Sequence, residues 1–246
     1  MTEIGSLLTQ VRKLSYPACM KPVAGEVKGR AFFPGGKGTF DDSSIISDKP
    51  IMVVGQDFDV EANFSKAEAA GQENIKQNPT WRNLLALLEE VRISPQSCFF
   101  TNAIMGVRVD LSPGSQNKQK NTGDSPAFKH PDFIIECQDF FLKQLEMQRP
   151  RLILVLGKMP AKFLATMVED LRPWKQLQTI TEIDNAGQQL MCDATFSNDV
   201  KTTLVLLTHP SFRHLNIQKR RYKNNLTGAE AELEMLKDAL KTINAA

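Results

Sequence analysis

Three polar side chains suited to acid–base and hydrogen-bonding chemistry follow closely on short apolar segments of the sequence. Asp57, Asn102 and His209 each come within three residues of the end of such a segment. A carboxylate in this position can orient water and stabilise a developing cation. An amide offers both a donor and an acceptor, which suits the edge of a nucleobase, and a neutral imidazole can donate to a developing oxyanion on a leaving group.

Apolar segments of strand length alternate with segments of helical periodicity after residue 50. The predicted strands lie at residues 51–54, 98–101, 152–156 and 203–207, and the predicted helices at 81–91, 133–147, 160–168 and 228–243. Continuous apolar strands that alternate with helices favour a mostly parallel sheet covered on both faces. Because ligands of such sheets bind beyond the carboxyl ends of the strands, we expect Asp57, Asn102 and His209 to converge at one edge.

The first part of the chain is less regular than the rest. It combines a short amphipathic opening with several prolines and a cluster of glycines. We therefore expect residues 1–49 to form an irregular segment packed on one domain that spans residues 50–246.

Composition excludes several classes of protein. The chain has 246 residues, of which 41% are hydrophobic and 24% charged, as in ordinary globular domains. No apolar run approaches the ~20 residues of a membrane span, and the first thirty residues lack a signal-peptide core. The 4 cysteines are scattered without a C-x-x-C pair, so we expect neither a metal site nor another cofactor, and a cytoplasmic location with reduced thiols.

Basic residues are concentrated locally although the net charge is only +2. Residues 200–229 contain no acidic side chain, and a second acid-free stretch at 111–123 carries Lys118 and Lys120. Such patches are compatible with contact to a polyanion, and equally with a solvated face.

Four segments in the same order resemble motifs of the uracil-DNA glycosylase superfamily. They lie at residues 54–57, 99–108, 152–164 and 208–211. The resemblance spans about residues 50–223 and implies a three-layer α/β/α sandwich with a central, mostly parallel four-stranded sheet. It also implies a monofunctional glycosylase that hydrolyses the N-glycosidic bond of a flipped base and leaves an abasic site.

The resemblance assigns roles to individual residues. Asp57 would activate water, Asn102 would bind the base edge, and His209 would hydrogen-bond the leaving base. Gln56 would line the pocket, and Phe64 is the candidate for stacking on the base.

The same resemblance implies contacts to DNA, double- or single-stranded, by a monomer that does not bind membranes. Ser211 would hold a phosphate beside the flipped nucleotide. Arg213 stands where the best-known branch has the leucine wedge that extrudes the base, and Leu215 or Phe212 could serve as the wedge instead. Further phosphate contacts are expected from the basic residues Lys219, Arg220 and Arg221.

Departures from the family pattern leave further functions open. Phe58 and Asp59 replace a Pro-Tyr pair whose Tyr blocks the thymine methyl group in the best-known branch. A bulky modified pyrimidine of viral DNA is therefore a possible substrate, with a role in antiviral defence rather than DNA repair. A catalytically silent DNA-binding member of the fold and an unrelated doubly wound enzyme acting on a nucleotide or sugar phosphate are also compatible with the sequence.

Overall fold

The computed structural model describes residues 2–27, 31–41, 43–109, 125–223 and 225–245. The strands are β1 (Met20–Lys21), β2 (Ile51–Gly55), β3 (Cys98–Asn102), β4 (Val107–Arg108), β5 (Leu152–Leu156), β6 (Leu190–Thr195), β7 (Lys201–Leu207), β8 (Arg221–Tyr222) and β9 (Leu226–Thr227). The α-helices are α1 (Glu3–Val11), α2 (Glu61–Ala70), α3 (Pro79–Glu90), α4 (Pro131–Gln148), α5 (Lys158–Leu164), α6 (Arg172–Gln176), α7 (Ile180–Asn185), α8 (Arg213–Asn216) and α9 (Gly228–Ala245). Short 3-10 helices lie at Pro95–Ser97, Pro126–Lys129, Glu169–Leu171, Pro210–Phe212 and Ile217–Lys219.

The central sheet has the strand order β3-β2-β5-β7-β6. The first four strands are parallel, and β6 pairs antiparallel with β7. All residues of β2, β3 and β5 are buried, as is β7 except for Lys201, because helices cover both faces of these strands.

The predicted parallel sheet is confirmed, but the prediction of four strands missed β6. This edge strand exposes Cys192 and Asp193, and its pairing register shifts between Met191 and Ala194. Its residues therefore lack the continuous apolar character that marks the interior strands in the sequence.

Alternate residues of the strands enter two separate cores. Met52 and Val54 belong to the core that contains the buried face of α4, whereas Ile51 and Val53 belong to the core shared with α3 and α9. The sheet thus lies between two helical layers, which confirms the α/β/α sandwich.

The segment before β2 packs around the β3 side of the sheet. Helix α1 buries Ile4, Leu7 and Val11 in the same core as α4. Strand β1 pairs with β4, and Phe33 forms a parallel bridge to Thr101 of β3. Among the described residues, none of the helices has the length and apolarity that crossing a membrane requires.

Candidate active site

The carboxyl ends of the four parallel strands bring the predicted polar residues to one edge of the sheet. Asn102 ends β3 and pairs with Gly55, the last residue of β2, and Asp57 follows two residues later. His209 follows β7 after one further residue, beside the end of β5. The expected convergence of Asp57, Asn102 and His209 at this edge therefore agrees with the positions of the strands that carry them.

Two glycines make room for the side chains of Asn102 and His209. The Asn102 amide lies over Gly55, where a Cβ atom would approach its Oδ1 atom to 2.3 Å. His209 packs on Gly157, which has a φ of +91° and where a Cβ atom would lie 3.0 Å from the His209 Cβ. These glycines belong to the ends of β2 and β5, which are adjacent strands between β3 and β7.

The Asp57 carboxylate is enclosed by polar groups. Its side chain is only 4% exposed, and its Oδ2 atom lies 3.2 Å from Nε of Arg108. Its Oδ1 atom accepts the backbone N–H of Asp59 at 2.9 Å, and the Gln56 amide donates to Oδ2 at 3.5 Å. Burial raises the pKa of the Asp57 carboxyl above its ordinary value, while the positive charge of Arg108 acts in the opposite direction.

Asn102 is buried at the end of β3, and its side-chain amide has no hydrogen-bond partner among the described residues. A buried amide without an internal partner has both its donor and its acceptor available to a ligand. This arrangement suits the recognition of a base edge.

His209 is arranged as a neutral hydrogen-bond donor. Its Nδ1 atom accepts the backbone N–H of Ser211 at 3.3 Å, so the proton of the neutral ring belongs on Nε2. Burial lowers the pKa of the imidazole to about 4, although the nearby charge of Asp59 opposes this shift. His209 is therefore uncharged at neutral pH and can donate from Nε2.

The low pKa of His209 should make the fold sensitive to mild acid. Below pH 6.5 the unfolded chain binds a proton at this residue, whereas the folded chain does so only near pH 4. Stability present above pH 6.5 is therefore lost progressively as the pH falls towards 4. We expect His209→Gln to reduce the fall in the free energy of unfolding between pH 7 and pH 5 by about 2 kcal/mol. Urea unfolding measures this difference; the exposed His214→Gln variant is the control, and equal pH slopes for His209→Gln and the wild type would contradict it.

The segment before His209 is fixed by a buried charge cluster, here called the Arg220 cluster: Arg220, Asp184, Glu232 and Arg213. Arg220 donates to both oxygens of Asp184, at 2.8 and 3.1 Å, and to Oε2 of Glu232 at 2.8 Å. The same Glu232 oxygen accepts the backbone N–H of Thr208 at 2.7 Å, next to His209. Helix α9 thereby holds the loop that carries the imidazole.

The Arg220 cluster corrects one predicted DNA contact, that of Arg220. Arg220 is 1% exposed, and both of its carboxylate partners are buried, so it cannot reach a phosphate. Arg213 is half-buried and forms an ion pair with Glu232. The acidic partners lie outside the basic window at residues 200–229, so the window could not indicate that Arg220 is buried.

Removing Arg220 should cost much stability. In Arg220→Met, Asp184 would be left buried without its cation, and such losses cost about 3–5 kcal/mol. Urea unfolding measures this loss, with Lys219→Met as an exposed neighbour expected to change stability by about 0.5 kcal/mol or less. A loss below about 1 kcal/mol would show that the cluster is not a structural anchor.

The remaining predicted DNA contacts are half-buried or exposed. The Ser211 hydroxyl lies 2.6 Å from the Thr80 hydroxyl at the start of α3. Lys219 and Arg221 are exposed, and Leu215 in α8 is 60% exposed, the highest value among the large apolar residues that the structure describes as exposed. Residues 111–123, with their two lysines, lie outside the described residues.

Phe64 does not have the exposed ring that stacking on a base requires. It is buried, and its ring meets that of Phe58 edge-on with the centroids 5.7 Å apart. Phe64 thus fills the core between α2 and the loop that carries Asp57.

Two residues that hold parts of the site in place were not predicted from the sequence. Arg108 contacts Asp57 from β4, and Glu232 holds Thr208 from α9. Arg108 lies within a segment that resembles a family motif, but its spacing from Asp57 gives no sign of an ion pair. Within the described residues, no three His, Cys, Asp or Glu side chains are grouped so that they could hold a metal ion.

Comparison with protein families gives a match over most of the chain. A family model described as the Uracil DNA glycosylase superfamily matches residues 45–234, more than three quarters of the chain. The matched region includes Asp57, Asn102, Arg108 and His209. No curated protein matches the chain.

Proposed function

Because the chain belongs to the uracil-DNA glycosylase superfamily, we propose that it hydrolyses the N-glycosidic bond of a flipped uracil or modified pyrimidine in DNA. The observation that carries this proposal is the placement of a buried carboxylate, an unpartnered amide and a neutral imidazole at one edge of the sheet.

The chemistry of the bond matches these three side chains. When the bond breaks, the base leaves with the electron pair and positive charge develops on the sugar. The Asp57 carboxylate stabilises that charge, and it orients a water molecule and accepts its proton as the oxygen bonds to the anomeric carbon. The Nε2–H of His209 donates to the oxygen on which negative charge develops in the base.

Asn102 and the wedge select and hold the flipped base. The Asn102 amide pairs with the donor and acceptor groups on the base edge, so it distinguishes pyrimidines by their hydrogen-bonding pattern. Leu215 is better placed than Phe212 to act as the wedge, since it is largely exposed whereas Phe212 packs with its ring centroid 5.5 Å from that of His209. Exposed Lys219 and Arg221 contribute phosphate contacts.

The proposal is tested by base release from defined oligonucleotides, single- and double-stranded, that carry uracil or a 5-substituted pyrimidine. We expect strand cleavage only after alkali treatment, since a monofunctional enzyme leaves an intact abasic strand. Mass spectrometry of the liberated base identifies the substrate. Steeply salt-dependent DNA binding without release of any base would instead support the silent DNA-binding member of the fold.

A bulky modified pyrimidine as the substrate has one structural observation in its favour. Asp59 lies beside Asp57, its carboxylate is 37% exposed, and no aromatic ring occupies that position. Bases liberated from phage DNA that contains hypermodified pyrimidines test this possibility. Release of uracil alone would assign the protein to repair rather than defence.

Leu215→Ala should lower activity on duplex DNA selectively. The wedge offsets the cost of unstacking the base, a few kcal/mol, so the loss of most of its contact should reduce duplex turnover about tenfold. Single-stranded DNA needs little extrusion, so its turnover should change less than about twofold. Steady-state rates on both substrates measure the ratio. The matched control is Ile135→Ala, an equally apolar side chain on α4 that is 53% exposed; an equal loss on both substrates would assign Leu215 another role.

A further inference from the structure

Arg108 lies between the two carboxylates of the loop after β2. Its Nη2 atom donates to Oδ1 of Asp59 at 2.7 Å, and its Nε atom is 3.2 Å from Oδ2 of Asp57. The Nε–H makes no hydrogen bond to any of the described residues. Its contact with Asp57 is therefore an ion pair without hydrogen-bond geometry. The guanidinium forms its hydrogen bond with Asp59 instead.

Asp59 in turn orients Asp57. Its backbone has a φ of +64°, in the left-handed region that Asp adopts more readily than most residues. In this conformation its N–H donates to Oδ1 of Asp57 at 2.9 Å. The conformation is held by Arg108 and by the Asn63 amide, which donates to the other carboxylate oxygen of Asp59 at 2.7 Å.

The backbone of Arg108 is fixed from both sides. It pairs with Met20 of β1, and its own N–H donates to the carbonyl of Asp59 at 2.9 Å. A bridge between Val60 and Arg108 continues this pairing. The guanidinium therefore reaches Asp57 from a strand whose backbone is paired on both sides.

The charges around Asp57 are unbalanced without Arg108. The groups that act on its carboxylate are Arg108, the Asp59 carboxylate and backbone N–H, and the Ser125 hydroxyl. Gln56 adds a weak amide contact, and His209 is neutral. Loss of the guanidinium would leave two neighbouring carboxylates, one deeply buried, with no cation beside them among the described residues.

From this geometry we infer that Arg108 is a positioning residue of the reaction: it keeps Asp57 ionised by its charge and keeps it oriented through Asp59. The inference rests on the proposed glycosylase activity. Arg108 is buried, so its effect should fall on the chemical step rather than on DNA binding.

The test is the pH dependence of single-turnover base release in wild type, Arg108→Gln and Arg108→Lys. An adjacent arginine lowers a carboxyl pKa by about 1–3 units, so the acid limb of Arg108→Gln should move up by at least about one pH unit. We expect Arg108→Lys to restore most of the wild-type limb, and KM to change less than about twofold in both variants. A uniform loss at every pH, with an unmoved acid limb, would assign Arg108 a merely structural role.

A second readout separates this inference from the proposed function. Carbon-detected NMR titration of the Asp57 carboxyl in the full chain needs no substrate. If wild type releases no base but the Asp57 titration moves up in Arg108→Gln, the glycosylase proposal fails and the Arg108–Asp57 coupling stands. If the titration is the same in both proteins, the inference is overturned whatever the activity. Should Arg108→Gln not fold, Arg108→Met, which keeps the apolar stem of the side chain without its charge, is titrated instead and should move the Asp57 titration up in the same way.

Discussion

Asp57→Asn should reduce the rate of base release by about 10²–10⁴, because a positioned acid–base group contributes a factor of this size. The amide keeps the shape of the carboxylate and can still accept the N–H of Asp59 through its oxygen. It cannot accept a proton from water or carry the negative charge that faces the sugar cation. The loss should therefore appear in the chemical step, with DNA affinity nearly unchanged.

The stability of Asp57→Asn separates a chemical effect from misfolding. The Asp57 carboxylate is buried, and its raised pKa indicates that burial disfavours its charged form. Replacing the charge with a neutral amide should leave the free energy of unfolding within about 1 kcal/mol of wild type, because Arg108 retains Asp59 as a partner. Single-turnover rates and urea unfolding are measured together, with exposed Asp170→Asn as the matched control. Activity within tenfold of wild type would remove Asp57 from the mechanism.

His209→Ala is expected to show the next largest effect, a loss of about 10²–10³ in kcat, the usual result of removing a preorganised donor. The imidazole donates only as negative charge develops on the base, so KM should change little. The exposed His214→Ala variant, five residues further along, should retain wild-type activity.

The leaving base provides a sharper test of His209. An electron-withdrawing substituent at C5, as in 5-fluorouracil, stabilises the base anion and so reduces its need for a hydrogen bond. We expect His209→Ala to lose less activity on a 5-fluorouracil substrate than on an unsubstituted one. Equal losses on the two substrates would indicate that His209 acts on binding or on folding rather than on the leaving group.

The interior of the fold could be predicted from sequence because its strands are buried on both faces. Each of β2, β3, β5 and β7 contains a continuous apolar segment, and parallel pairing places all their carboxyl ends together. The positions of Asp57, Asn102 and His209 follow from that topology alone. The antiparallel strand β6 could not be found in the same way, since two of its six residues are exposed.

Electrostatic partners could not be predicted, because they depend on side chains distant in sequence. Arg213 and Arg220 belong to an acid-free window, yet they pair with Glu232 of α9 and Asp184 of α7. Phe64 likewise has a side chain suited to stacking, but its ring is buried in the core. In each case the sequence indicates what a side chain can do, and only the packing shows what it contacts.

The two borders of the central sheet also bear on how the protein behaves at high concentration. A bare outermost strand offers unpaired backbone groups that can recruit another chain and start aggregation. Here Phe33 pairs alongside β3, while the exposed Asp193 and the slipped register interrupt β6. Neither border presents a long, flat, apolar template, so the sheet is protected against growth by intermolecular strand addition.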